Sequence, residues 1–176
     1  MPQDFFEQDY AWMEQNEDSA QLHKTVLDSC PMSVAGPCYA ISGINSGAFP
    51  VEFAAIAALP QEQRGPAVKQ FYHEHFYNQW LAQLNSADVQ ERVFDTAVNS
   101  GMGAAVKIVQ TAVNSFSATT NQLVIDGVWG PKTIAAINAV NPDTMVAAFN
   151  RARVAHLQAY DATSPYLKQL IARAEK

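Results

Sequence analysis

Cationic side chains are scarce in this sequence of 176 residues: 11 Lys and Arg stand against 17 Asp and Glu, for a formal charge of −6. They are scattered singly, so no basic stripe is available for counterion release from a phosphate backbone, and nucleic acid is not an expected partner. Long apolar runs are missing too. The most apolar stretch, Gly103 to Val113, is broken by Lys107 and Gln110, so no membrane span is expected. The opening residues MPQDFFEQDYAW have neither a cationic start nor an unbroken apolar core; a Sec-type signal is therefore not expected, and any export would use another route. Cysteine is limited to Cys30 and Cys38. Their spacing fits no zinc motif. With Pro31 and Gly36-Pro37 between them they suit a local disulfide in an oxidising compartment, whereas a reducing one would keep both as thiols. No G-x-S-x-G, Walker, C-x-x-C or H-E-x-x-H pattern occurs, and no Ser, Thr or Cys stands at a recognisable spacing from a His, which leaves nucleophilic catalysis unsupported. His73 and His75 would point about 200° apart on a helix, too far to share an ion. Neither a metal nor a cofactor is expected.

What the sequence does have is helical periodicity and 48% apolar residues, enough for a core without a metal or disulfide staple. Phe6, Tyr10, Met13 and Glu17 recur at spacings of four, three and four, widened by Phe5 and Trp12, so residues 4–18 read as one amphipathic helix with Glu7, Glu14 and Asp18 on its outer face. From Ser19 to Pro50 the pattern dissolves into Gly, Ser, Pro, Asn and Asp around two short apolar pieces, Thr25-Val26-Leu27 and Cys38-Tyr39-Ala40-Ile41. That is the composition of a long structured loop or small hairpin, and a loop of that length is usually functional. Further helices are predicted over Val51 to Leu59, from Pro66 along Val68, Phe71, Tyr72, His75, Phe76 and Trp80, and from an N-cap at Ser86 to Gly101. Others follow over Ala104 to Val113, from Pro131, along Met145, Phe149, Ala152, His156 and Tyr160, and from Pro165. Leu123-Val124-Ile125 reads as a short strand entering a turn at Asp126-Gly127, after a polar loop from Asn114 to Gln122. The expected fold is mainly α, with a small β element near residues 25–45.

Glu17 is the most informative residue. It falls in the arc of Phe6 and Met13 at the C-terminal end of its helix, where partial burial and the negative helix end both favour a protonated carboxyl, the state a general acid requires. The plain alternative is a helix-end carboxylate facing solvent, since Asp9 and Asn16 share its arc. Asp28, eleven residues on, is the natural second carboxylate of a glycosidase pair, or simply the start of an Asx turn. Asp95 and Asn99 lie one helical turn apart and share a face. They either hydrogen-bond a sugar or cap Gly101.

Three stretches in series, FYHEHFYNQW (Phe71 to Trp80), FDTAVNSGMGAAVKIVQTAV (Phe94 to Val113) and DGVWGPKTIAAINAVNP (Asp126 to Pro142), resemble the C-terminal two thirds of glycoside hydrolase family 108, the secretion-activator-like N-acetylmuramidases. That family shows a tyrosine helix, then D-x-x-V-N-x-G with a following L/V-Q, then D-G-x-x-G-P-x-T. Asp95, Val98, Asn99, Gly101, Val109, Gln110, Asp126, Gly127, Gly130, Pro131 and Thr133 match in order. The last motif also occurs in unrelated peptidoglycan-binding modules. Where the family has E-G-G-Y and Y-G-I-[ST], this chain has Glu17-Asp18-Ser19 and Tyr39-Ala40-Ile41-Ser42; Glu17 is retained by position, both glycines are absent, and Ile44 to Ser46 follows as I-N-S.

The resemblance implies a lysozyme-like helical fold, with residues 1–90 as a catalytic part and 91–176 as a helical part carrying the peptidoglycan-binding-like motif, packed as one globular unit. It implies cleavage of peptidoglycan glycan strands, Glu17 acting as acid, Asp28 as stabiliser or water-positioning group, and Tyr39, Ser42, Tyr77, Asp95 and Asn99 binding substrate. The rival expectations are a non-catalytic peptidoglycan-binding module and a phage or secretion-associated structural protein on the same fold. With no signal segment expected, delivery would rely on a phage holin or a secretion apparatus, with an immunity or delivery protein as a further partner.

Overall fold

The computed structural model describes residues 5–18, 20, 22–30, 35–77, 79–116, 122–160 and 167–175. Among these the chain forms eight α-helices and one three-stranded antiparallel sheet, divided between two compact units, Phe6–Tyr77 and Asn78–Lys176 with Met1–Phe5. The first unit ends at Tyr77. The buried Gln90 amide donates to the Leu81 carbonyl at 2.5 Å, and this ties the short helical turn Leu81–Gln83 to the helix that follows it.

The first unit opens with α1 (Phe6–Glu17). Phe6, Tyr10 and Met13 are buried as the periodicity requires. Phe6 lies against Tyr77 at 5.0 Å between ring centroids and edge-on to His73 at 4.7 Å. Among the polar residues of α1, Asp9 is buried on the arc it shares with Phe6 and Met13, whereas Glu14, expected on the outer face, is buried as well. Glu14 accepts the Tyr10 hydroxyl at 2.8 Å. Burial, reinforced by that bond to a carboxylate, pushes the Tyr10 phenol up.

The segment read as a loop or hairpin is a sheet in the order β1 (Thr25–Asp28), β2 (Cys38–Ile41), β3 (Ile44–Asn45). Thr25 pairs with Ile41 and Asp28 with Cys38, while Ile41 also pairs with Ile44 across the turn Ser42-Gly43. Cys30 and Cys38 are joined in a disulfide, closing a short loop worth about 2.5 kcal/mol in the chain-entropy account.

Helices α2 (Pro50–Ala57) and α3 (Arg64–Phe76) complete the unit. The latter begins two residues before Pro66, which is tolerated because its missing N–H falls in the first turn, where no intrahelical partner exists. Since α3 ends at Phe76, Trp80 lies beyond it and does not extend its stripe. The Arg64 guanidinium donates to Leu59 O, Ala57 O and His23 O at 3.0–3.1 Å, satisfying carbonyls at the end of α2 and ahead of β1.

The second unit holds α4 (Ala87–Ser100), α5 (Met102–Asn114), α6 (Pro131–Asn138), α7 (Pro142–Tyr160) and α8 (Leu167–Ala174). Ser86 caps α4 through Val89 N, and Gly101 separates α4 from α5 at φ 85°, a conformation natural to glycine. Val93, Phe94, Ala97, Val106, Val109, Met145 and Phe149 are all at or below 1% exposure and form the core. The expected strand at Leu123-Val124-Ile125 is absent. The Asn114 side chain donates to Leu123 O at 2.9 Å and accepts from Leu123 N at 2.7 Å, so an amide side chain takes the place of a neighbouring strand. In the DGVWGPKT element, the buried Gln110 amide donates to Asp126 at 2.9 Å and accepts from Gly127 N at 3.0 Å. Those bonds from Gln110 and from Val128 N hold the Asp126 carboxyl below its usual range. Residues 117–121 of the predicted polar loop and Pro165 lie outside the described residues.

Asp95 is the centre of this unit's polar interior. It has no exposed surface and pairs with Arg153 at 2.6 Å and with Arg173, whose Nε donates at 2.9 Å. Burial lowers the Arg153 pKa, with Asp95 opposing the shift. An Asp95→Asn substitution leaves two guanidiniums facing a neutral amide and should cost about 3–5 kcal/mol. Chemical denaturation of the variant beside the parent measures that loss, and a change under 1 kcal/mol would contradict this role.

Candidate active site

The end of α1 meets the β2–β3 turn. Gly43 has φ +81°, and a Cβ built on it would lie 2.8 Å from Glu17 Oε2 and 2.8 Å from Tyr72 Oη. The Glu17 carboxyl and the Tyr72 hydroxyl therefore converge on the space that a side chain at 43 would occupy. Only glycine meets both the backbone and the spatial requirement. Tyr72 comes from α3, is buried, and donates to Ser42 O at 2.8 Å. Glu17 is partly exposed, as a group must be to reach a substrate.

Ser42 is held from its side chain as well. Its hydroxyl donates to Asp18 Oδ2 at 2.9 Å and lies 2.8 Å from His23 Nδ1. Ser42 and His23 are the two non-glycine residues with positive φ among those described, at 47° and 46°. Such residues persist only where their surroundings over-determine them, and they cluster at functional sites. Asp18 also accepts the His23 N–H at 2.7 Å and the Leu22 N–H at 3.1 Å. Burial opposes its charge, yet the donors His23 N–H, Ser42 hydroxyl and Leu22 N–H prevail and hold its carboxyl below the usual range. Asp18, expected on the outer face of α1, thus lies inside the site.

Asp28 ends β1 on the opposite end of the hairpin from that turn. One oxygen accepts Ser29 N at 2.7 Å, the Asx-type contact anticipated as its plain role, and the other accepts Asn45 Nδ2 at 2.7 Å. At ~3.3 Å per residue, the pairing register puts on the order of 10 Å between Asp28 and the turn that seats Glu17. Tyr39 lies on β2, is 42% exposed, and faces its cross-strand partner Leu27, so it offers an open aromatic face.

The remaining candidates lie elsewhere. Tyr77 is packed on Phe6 and His73 with 8% exposure, so its ring belongs to the core and not to a sugar surface. Asp95 is spent in ion pairs, and Asn99 donates back to it at 3.1 Å. Asn99 lines a cavity of about 590 Å³ within the second unit, together with Lys107 and His156. His23, Gly43, Asn45 and Tyr72 were not selected from the sequence as site residues. The glycine-rich composition of their segment was visible, but the left-handed backbone at His23 and Ser42 was not. Among the described residues, no three His, Cys, Asp or Glu side chains converge as a metal-binding group.

The mainly α architecture with its small antiparallel sheet is that of a lysozyme-like fold. Among solved structures, that of SagA from Brucella abortus shares it, with a TM-score of 0.65 and 23% identity over 97% of this chain and 93% of that one. At this identity the likeness is one of fold. No family model and no curated protein matches the sequence.

The lowered Asp18 carboxyl has a pH signature. Its folded value lies below the unfolded one, so its contribution is complete above about pH 3.9 and is lost as pH falls through the folded value. The stability advantage of the parent over an Asp18→Asn variant should therefore be constant near neutrality and shrink below about pH 4. Urea midpoints across that range test it; an advantage that grows on acidification would reverse the assignment.

Proposed function

We propose that the protein is a peptidoglycan hydrolase of the N-acetylmuramidase type, cutting the β-1,4 bond between N-acetylmuramic acid and N-acetylglucosamine. The observation that carries this reading is the seating of the Glu17 carboxyl, at the end of α1, against the Gly43 turn of the sheet. The lysozyme-like fold and the sequence motifs support it. In this reading Glu17 delivers its proton to the glycosidic oxygen as the bond to the anomeric carbon breaks. Water then adds to the oxocarbenium-like centre and gives up a proton, either to Asp28, which orients it, or to the Glu17 carboxylate while Asp28 stabilises the charge; Tyr39 stacks on a pyranose ring. Tyr77 and Asp95 have no part in this mechanism, because both are committed to packing or ion pairs. Transfer to the wall compartment, by holin-type release or a secretion apparatus, belongs to the same proposal.

Glu17→Gln should abolish clearing of purified cell walls and leave the melting temperature within a few degrees of the parent, since shape is kept and the proton donor lost. Clearing within a few-fold of the parent would refute the acid assignment. If the parent itself releases no reducing ends from walls yet sediments with them, the non-catalytic wall-binding reading takes its place.

Asp28→Asn should reduce turnover far less than Glu17→Gln if the residue only stabilises charge, and comparably if it orients water. Steady-state rates on the same substrate separate the two, and unchanged turnover would leave Asp28 with its turn-forming role alone.

A further inference from the structure

The hydrogen-bond chain behind Glu17 has only one arrangement of protons. Asp18, held ionised, can only accept, so the Ser42 hydroxyl must point its hydrogen at Asp18 Oδ2. The Ser42 oxygen is then the acceptor for His23, whose Nδ1 must carry a proton. The 3.6 Å approach of His23 Nδ1 to Asp18 Oδ2 agrees with that tautomer. In the neutral imidazole this leaves Nε2 as a bare acceptor. That nitrogen faces Gly65 on α3, where an added Cβ would lie 3.1 Å away. His23 and Gly65 line one cavity of about 570 Å³ with Leu22, Gln61 and Glu62. Gly65 is helical, and a helix there would tolerate alanine at no cost in backbone conformation.

From this geometry we propose that the cavity is a substrate subsite, in which His23 Nε2 accepts a hydrogen bond from a sugar hydroxyl or N-acetyl N–H. The proposal rests on the glycan-hydrolase reading and extends it. Asp18 and Ser42 act as positioning residues: they fix the imidazole tautomer from behind, and the same Ser42 backbone carries the turn beneath Glu17. A donor-bearing, uncharged ligand fits this acceptor. An anionic group would be repelled by the nearby Glu62, and the Arg64 guanidinium beside the site is engaged by three carbonyls.

The test uses Glu17→Gln protein, so that ligand is not consumed, and the N-acetylglucosamine tetramer as probe. Imidazole ¹⁵N spectra of the free protein should show His23 protonated on Nδ1 and bare on Nε2, and saturation with the tetramer should move the Nε2 resonance in the sense of a new hydrogen bond. Gly65→Ala, in the same background, places a methyl group against Nε2 and should weaken tetramer binding by tenfold or more while His23 keeps its Nδ1 proton signal. Tetramer binding with no change at Nε2, or equal affinity in Gly65→Ala, overturns the subsite and leaves the hydrolase reading intact. Failure of the tetramer to bind at all overturns the subsite, while release of reducing ends from walls by the parent decides the hydrolase reading separately. A Gly65→Ala protein that loses the Nδ1 proton signal reveals a packing role for Gly65 and counts against the subsite.

Discussion

The two-residue turn Ser42-Gly43 is the constraint on which the candidate site depends. Both residues stand in the left-handed region, one of them without the freedom of glycine. A strained serine must be held by its neighbours, and here three side chains hold it: Tyr72 on its carbonyl, Asp18 and His23 at its hydroxyl. Each comes from a different part of the first unit. Holding that turn therefore also fixes the end of α1, the entry to β1 and the inner face of α3 relative to one another.

This arrangement explains how an acidic pair can close α1 without mutual interference. Glu17 and Asp18 are adjacent in sequence but serve opposite ends of one arrangement. Asp18 is saturated with donors and stays ionised. Glu17 rests on the glycine gap beside a tyrosine hydroxyl and keeps a path to solvent. The division follows from hydrogen-bond supply, since a carboxylate that accepts two backbone N–H groups and a hydroxyl has little cause to take up a proton.

The second unit follows a different logic, in which a buried charge organises the interior. Asp95 and its two arginines, with Gln110 and Asn114 pinning the segment before α6, satisfy buried polar groups that an apolar core could not. The residues of the D-x-x-V-N and D-G-x-x-G-P-x-T motifs therefore have structural explanations here: Asp95 through its ion pairs, Asp126 through the Gln110 amide, and Gly127 through a positive φ and close approach to Gly103 O.

Periodicity, with caps and breakers such as Ser86 and Gly101, determined where the helices lie, because a 3.6-residue stripe that must be buried leaves little choice; α1, α4 and α5 lie within two residues of their predicted bounds. It also placed Glu17 at the C-terminal end of α1, while composition marked Thr25-Val26-Leu27 and Cys38-Tyr39-Ala40-Ile41 as the apolar pieces of a loop or hairpin. The tertiary structure decided what lies beside each polar group. Glu14 is buried by packing that no helical wheel contains, Asp95 is claimed by arginines 58 and 78 residues away, and Asp18 turns inward because Ser42 and His23 adopt a backbone that their residue types rarely take. Composition and spacing record only a side chain's own helix or strand, whereas ionisation, exposure and the route of each proton depend on groups brought from elsewhere in the chain.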